Sequence, residues 1–146
     1  MRPILILLSA LLFSVGGLSG QTKVKSSVKK TKTHKIVFQM VSKDTADHNA
    51  LVRQLFNIRN LAPTTKLEVV CHGPGLTFIQ KNKSLVLDKL NELAETKVDF
   101  VGCEFTMTQK NVTRDQLMEK CRTVPGGILE IVDKQDKGWS YIKAGY

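Results

Sequence analysis

The sequence carries none of the short patterns that declare a chemistry outright. It has no CxxC or HxxxH spacing, so a zinc site built from neighbouring ligands has little support. It has no Walker or GxGxxG run, so a glycine loop around a nucleotide phosphate is not indicated. No Ser/His/Asp arrangement stands out. Aromatic residues make up only 6% of the chain, so its core must be mostly aliphatic. Cysteines number three, too few and too widely spaced for a disulfide framework. In an exported chain an odd count leaves at least one thiol unpaired, modified or shared between subunits. No apolar run reaches the ~20 residues that span a membrane comfortably.

What is present fits one ordinary domain: 146 residues, 42% hydrophobic and 24% charged. Residues 1–20 stand apart. Arg2 is followed by an almost continuous apolar stretch from Ile4 to Val15 and then by GGLSG. A charged start, a short apolar core and a small-residue zone are the three parts of a secretory signal peptide. The expectation is a secreted or periplasmic protein, cleaved after Gly20, with no stable membrane insertion. The net charge of +9 is uneven: Lys23, Lys25, Lys29, Lys30, Lys32 and Lys35 all precede the first acid, Asp44. Residues 21–34 therefore read as a basic, disordered linker, and 35–146 as the domain. No aromatic interleaves the lysines, so nucleic acid is not an expected partner.

Along the domain, apolar runs at 35–41, 66–71 and 98–103 read as buried strands. WSYI at 139–142 alternates like a half-buried terminal strand. Ala50, Leu51, Leu55 and Ile58 repeat at helical spacing behind the candidate caps Ser42, Asp44 and Thr45. Leu85, Leu87, Leu90 and Leu93 mark a second long helix. Residues 106–111 read as a polar loop, and 113–122 as a helix with Leu117, Met118 and Cys121 on one side. Residues 124–127 read as a turn or a very short strand. Ile128, Leu129, Ile131 and Val132 read as the apolar side of a last helix. Strands alternating with helices predict an α/β fold, three-layer α/β/α around a mostly parallel sheet.

In such sheets chemistry gathers beyond the carboxyl ends of the strands. Two of the three cysteines, Cys71 and Cys103, fall there. Cys103 is the candidate nucleophile, because a thiol at a rim where helices start is open to activation. Glu104 is also a candidate binding position, and if close to the thiol it would oppose that activation. His72 is the candidate supporting residue. Gly73 and Gly75 are candidate binding positions that would offer backbone N–H groups to an anion. Cys121 reads as core or partner-facing, and His48 as solvated on the first helix. No cofactor and no metal are called for.

The pieces NIRNL at 57–61, LEVVCHGPGL at 67–76, FVGCEFTM at 100–107, TVPGG at 123–127 and GWSYI at 138–142 together resemble the DsrE/DsrF-like (YchN-like) family. The resemblance covers about residues 35–143. It implies a five-stranded, flavodoxin-like α/β/α domain that usually forms a homo-oligomer. Better-known relatives carry sulfur as a cysteine persulfide between donor and acceptor proteins, and the sulfur-carrying cysteine matches Cys103. His72 matches the His-Gly-Pro-Gly turn. Thr106 and nearby N–H groups become candidate donors to the thiolate. The expected function is an exported persulfide carrier. The alternatives are a non-catalytic oligomeric binding module, or a thiol redox or metal-binding protein using Cys71 and Cys103.

Overall fold

Five short aliphatic runs form the strands of one sheet. The computed structural model describes residues 33–145. The leader 1–20 and most of the linker 21–34 lie outside the described residues. The elements run β1 (Lys35–Met40), α1 (Thr45–Leu61), β2 (Lys66–Cys71), α2 (Leu87–Glu95), β3 (Val98–Cys103), α3 (Glu104–Gln109), β4 (Cys121–Val124), α4 (Gly127–Asp136) and β5 (Ser140–Ala144). All neighbouring strands are parallel, in the order β4-β3-β2-β1-β5. The expected α/β fold with a five-stranded parallel sheet is therefore present.

Connection direction sets the layers. The steps β1 to β2 to β3 to β4 all move the same way across the sheet, so right-handed crossovers put their helices on one face. The last connection returns from β4 across three strands to β5, which puts α4 on the opposite face. Alternation within each strand feeds both layers. Phe38, Val69, Cys71 and Phe100 pack with Leu51 and Leu55 of α1 and Leu90 and Leu93 of α2. Val37, Val70, Val101 and Val124 pack with Ile131 of α4 and Trp139. Among the described residues no helix is long and apolar enough to cross a membrane.

Four readings change. Residues 104–109 form a helical turn, α3, where a polar loop was expected, because Thr106 and Met107 turn inward. Residues 113–122 do not form a helix. The cap at Thr113 is real, reciprocated by Gln116, but it opens only a 3₁₀ turn at Arg114–Gln116. The chain then runs extended into β4. The Arg114 guanidinium donates to the carbonyls of Met118, Glu119 and Cys121 and holds it there. His48 is buried: its Nε2 pairs with the Ser42 carbonyl at 2.9 Å and its ring meets Phe78 edge-on. On α4 only Ile131 of the four apolar residues is buried. Gly127, Ile131 and Lys134, spaced by four and three, form its inner stripe, so Ile128, Leu129 and Val132 face outward.

The α4 face of the sheet also buries charge. Glu68, in the middle of β2, is fully buried. One of its carboxylate oxygens meets Arg122 of β4 at 3.0 Å and pairs with Lys134 of α4. Arg122 also donates to Asp99 at 2.8 Å and to Glu130 at 2.6 Å. Lys134 lies over the Trp139 ring. Three carboxylates thus face two cations, and burial pushes the most enclosed one, Glu68, up to about 7 against the pull of Lys134 and Arg122. Between its ordinary value of 4.5 and about 7, the folded state holds a proton that the unfolded chain has released. The group's contribution to stability is then greatest below that range and declines as pH rises through it. Glu68→Gln, which mimics the protonated acid, should match the parent in urea denaturation near pH 4.5. It should become relatively more stable by about 1–3 kcal/mol by pH 8. An advantage for the parent that grows with pH would show that the ionised carboxylate is the favoured form.

Candidate functional site

Cys103 is the last residue of β3 and the residue that precedes α3, so two elements fix its backbone. It is 5% exposed. The first residue of α4, Gly127, donates its N–H to Cys103 Sγ at 3.3 Å. Glycine at the start of α4 eases this close approach. A Cβ at 127 would stand 3.1 Å from Cys103 Cβ, 3.2 Å from Val70 Cγ1 and 3.3 Å from His72 Cβ. Thr106, one turn into α3, is buried beside the thiol. Its Oγ1 accepts the Gly73 N–H at 3.0 Å, which leaves its own hydroxyl hydrogen for the sulfur. Gly73 reaches that position with φ +54, a conformation that favours glycine.

Burial alone would push the Cys103 thiol up. Hydrogen bonding from the Gly127 N–H and from Thr106 outweighs it and holds the thiol below its ordinary range. The other two cysteines show the contrast. Burial pushes Cys71 and Cys121 up, and neither gathers such a set of donors. Cys121 lies on β4, with its Sγ against the Met118 carbonyl.

His72 follows β2 and is half-buried. Its Nε2 lies 2.8 Å from Gln39 Nε2. Tyr141 donates its hydroxyl to Gln39 Oε1, so the amide nitrogen faces the ring and donates to Nε2. This assignment makes His72 the neutral Nδ1–H tautomer, and burial also disfavours its charged form.

His72, Gly73, Cys103 and Thr106 open together onto a cavity of about 490 Å³. Phe105, Gln109, Pro125, Ile128 and Leu129 complete most of its wall. Two candidates lie elsewhere. Gly75 is a packing position: its N–H bonds to the His72 carbonyl, and a Cβ there would stand 2.2 Å from the Met40 carbonyl oxygen. The Gly73 N–H is already held by Thr106, so the two glycines do not form an anion cradle. Glu104 points to another hollow, where it accepts from Thr123 Oγ1 at 2.6 Å. Cys71 sits on the strand beside Cys103, but its register partner is Gly102. The two thiols therefore project from opposite faces of the sheet, which removes the basis for a shared disulfide or metal. All three cysteines are free, and no group of three or more His, Cys, Asp or Glu among the described residues is placed to hold a metal.

The residues that sequence reasoning missed are Gly127, Gln39 and Tyr141. The Gly-Gly pair at 126–127 was visible as a turn, but nothing local ties it to a cysteine 24 positions earlier.

Comparison with known proteins agrees with this architecture. A family model described as the DsrE/DsrF-like family matches residues 34–144. The solved structure of MTH1491 from Methanobacterium thermoautotrophicum, a protein of unknown function, is 25% identical. The match covers 75% of this chain and 98% of that one, at a TM-score of 0.72. The ychN protein from E. coli shares the fold at 9% identity and a TM-score of 0.64, over 77% of this chain and 99% of that one. No curated protein matches the sequence.

Alkylation by iodoacetamide, followed by mass against pH, should titrate Cys103 with a midpoint below the ~8.5 of a free thiol. Thr106→Val removes the hydroxyl donor, and Gly127→Ala pushes α4 away. Each should raise that midpoint. A parent midpoint at the free-thiol value would refute the activation described here.

Proposed function

The chain belongs to the DsrE/DsrF-like family, and from that premise we propose that it is an exported carrier of sulfane sulfur, held as a persulfide on Cys103. The observation that carries this reading is the Gly127 N–H donated to the Cys103 thiol, with Thr106 and the thiol lining one cavity. Export is supported by the signal-like pattern of residues 1–20.

In the loading step the Cys103 thiolate attacks the outer sulfur of a donor R–S–SH. A new S–S bond forms, the donor's S–S bond breaks, and R–S⁻ leaves with the electron pair. Cys103–S–SH remains. Delivery is the same exchange in reverse sense: an acceptor thiolate takes the outer sulfur and Cys103 departs as thiolate. The donors that stabilise the thiolate before loading also stabilise it as leaving group. His72 would shape the cavity beside the bound sulfur as a neutral ring. Donor and acceptor proteins are the proposed partners. Self-association is proposed as well, as the family resemblance implies.

Intact mass after incubation with a panel of hydropersulfide, polysulfide and thiosulfate donors tests the reading. The parent, Cys71→Ser and Cys121→Ser should gain whole sulfur atoms, and Cys103→Ser should gain none. Loading that survives in Cys103→Ser sinks the carrier. No loading from any donor moves the assignment to a binding module in which Cys103 is a packing residue.

A further inference from the structure

The wall of the Cys103 cavity selects among sulfur donors. Phe105, Pro125, Ile128 and Leu129 supply its apolar surface, and no described residue lining it bears a formal charge. Gln109, Thr106 and His72 are its polar side chains besides the thiol. His72 is kept neutral by the Gln39 amide, and Thr106 already bridges Gly73 and the sulfur. The Gly127 N–H is committed to Cys103. An anionic donor entering here would shed water without meeting a cation, and would approach a thiolate of like charge. An apolar substituent meets the opposite conditions. Phe105 is 66% exposed and Leu129 69% exposed at the mouth, ready to cover one.

We propose that the donor taken by this site is an uncharged hydropersulfide, R–S–S–H, whose R group is apolar and lies against Phe105, Ile128 and Leu129. The proposal rests on the persulfide reading and adds the donor's chemical class to it. Cys103–S⁻ forms a bond to the outer sulfur as the donor's S–S bond breaks. The outer sulfur keeps its hydrogen, giving Cys103–S–SH. The departing R–S⁻ takes a proton from water, and no oxidant or reductant is consumed.

The test compares two donors that differ by one charge, benzyl hydropersulfide and its 4-carboxybenzyl analogue. Initial rates of sulfur gain on Cys103 are read by intact mass on the full chain, each relative to the same donor's rate with N-acetylcysteine. The uncharged donor should load about ten-fold faster or more, because the carboxylate must be desolvated without a partner. Leu129→Lys, at an exposed position, should narrow that ratio by speeding the carboxylated donor. Equal relative rates in the parent, or a ratio that Leu129→Lys leaves unchanged, would overturn the donor class while the persulfide reading stands. Loading from thiosulfate with none from either benzyl donor would have the same meaning. No loading from any donor would remove both.

Discussion

The carboxylate of Glu68 is buried in the middle of a parallel sheet, and its cations come from elsewhere: Arg122 on β4 and Lys134 on α4. Below about pH 7 the group is held protonated, and above it the ionised carboxylate needs both cations, because an unpaired buried charge costs several kcal/mol. The structure must therefore keep α4 over β2, with Lys134 and Glu130 pointing down. Seven residues before Lys134, about 10 Å along a rigid helix, lies Gly127. Fixing one end of α4 against Glu68 thus fixes the other against Cys103. The close approach at Gly127 and the charge cluster are two ends of one docking. This is the sole helix of the described residues that the topology assigns to that face. Ile131 packs on the same face against Val37, Val70, Val101 and Val124, so a shift of α4 would disturb that cluster and the hydrogen bond to the thiol together.

Three cysteines in one small sheet separate what burial does from what hydrogen bonding does. All three cysteines are nearly inaccessible, Cys71 and Cys121 within the apolar core and Cys103 at the wall of the cavity. Enclosure raises the first two. Cys103 alone sits where β3 ends, α3 begins and α4 begins, so the first N–H of α4, from Gly127, is aimed at it. Its difference is positional, made by the sheet order β4-β3-β2 that brings the β4-to-α4 turn beside the end of β3.

This placement explains what was legible in the sequence. The strands at 35–40, 66–71 and 98–103 were readable because buried parallel strands are continuous apolar runs bounded by polar or Gly/Pro residues. Residues 113–124 were not, since Leu117, Met118 and Cys121 satisfy a helical spacing while the chain is in fact extended. The decision was made by Arg114, whose bonds to three carbonyls no periodicity records. Cys103, His72 and Thr106 were nameable from their place at strand ends and from the family resemblance, and they do meet around one cavity. Gly75 and Glu104 were named for being adjacent in sequence, yet one packs under Met40 and the other bonds to Thr123. Gln39 was hidden inside a strand, where its contact with His72 depends on β1 and β2 pairing in register.

A thiol that both takes and gives sulfur meets opposing demands. Lowering its proton affinity populates the thiolate and improves it as a leaving group, but reduces its intrinsic nucleophilicity. A strong cation beside Cys103 would push far toward the leaving-group side. Neutral donors push less, and here burial offsets part of their effect, so the thiol lies below its ordinary range by a balance of two large opposing influences. The same choice of neutral donors leaves the cavity wall without a charged side chain. For the proposed carrier, activation by N–H and hydroxyl groups, with no lysine or arginine in the wall, would leave Cys103 moderate both as nucleophile and as leaving group.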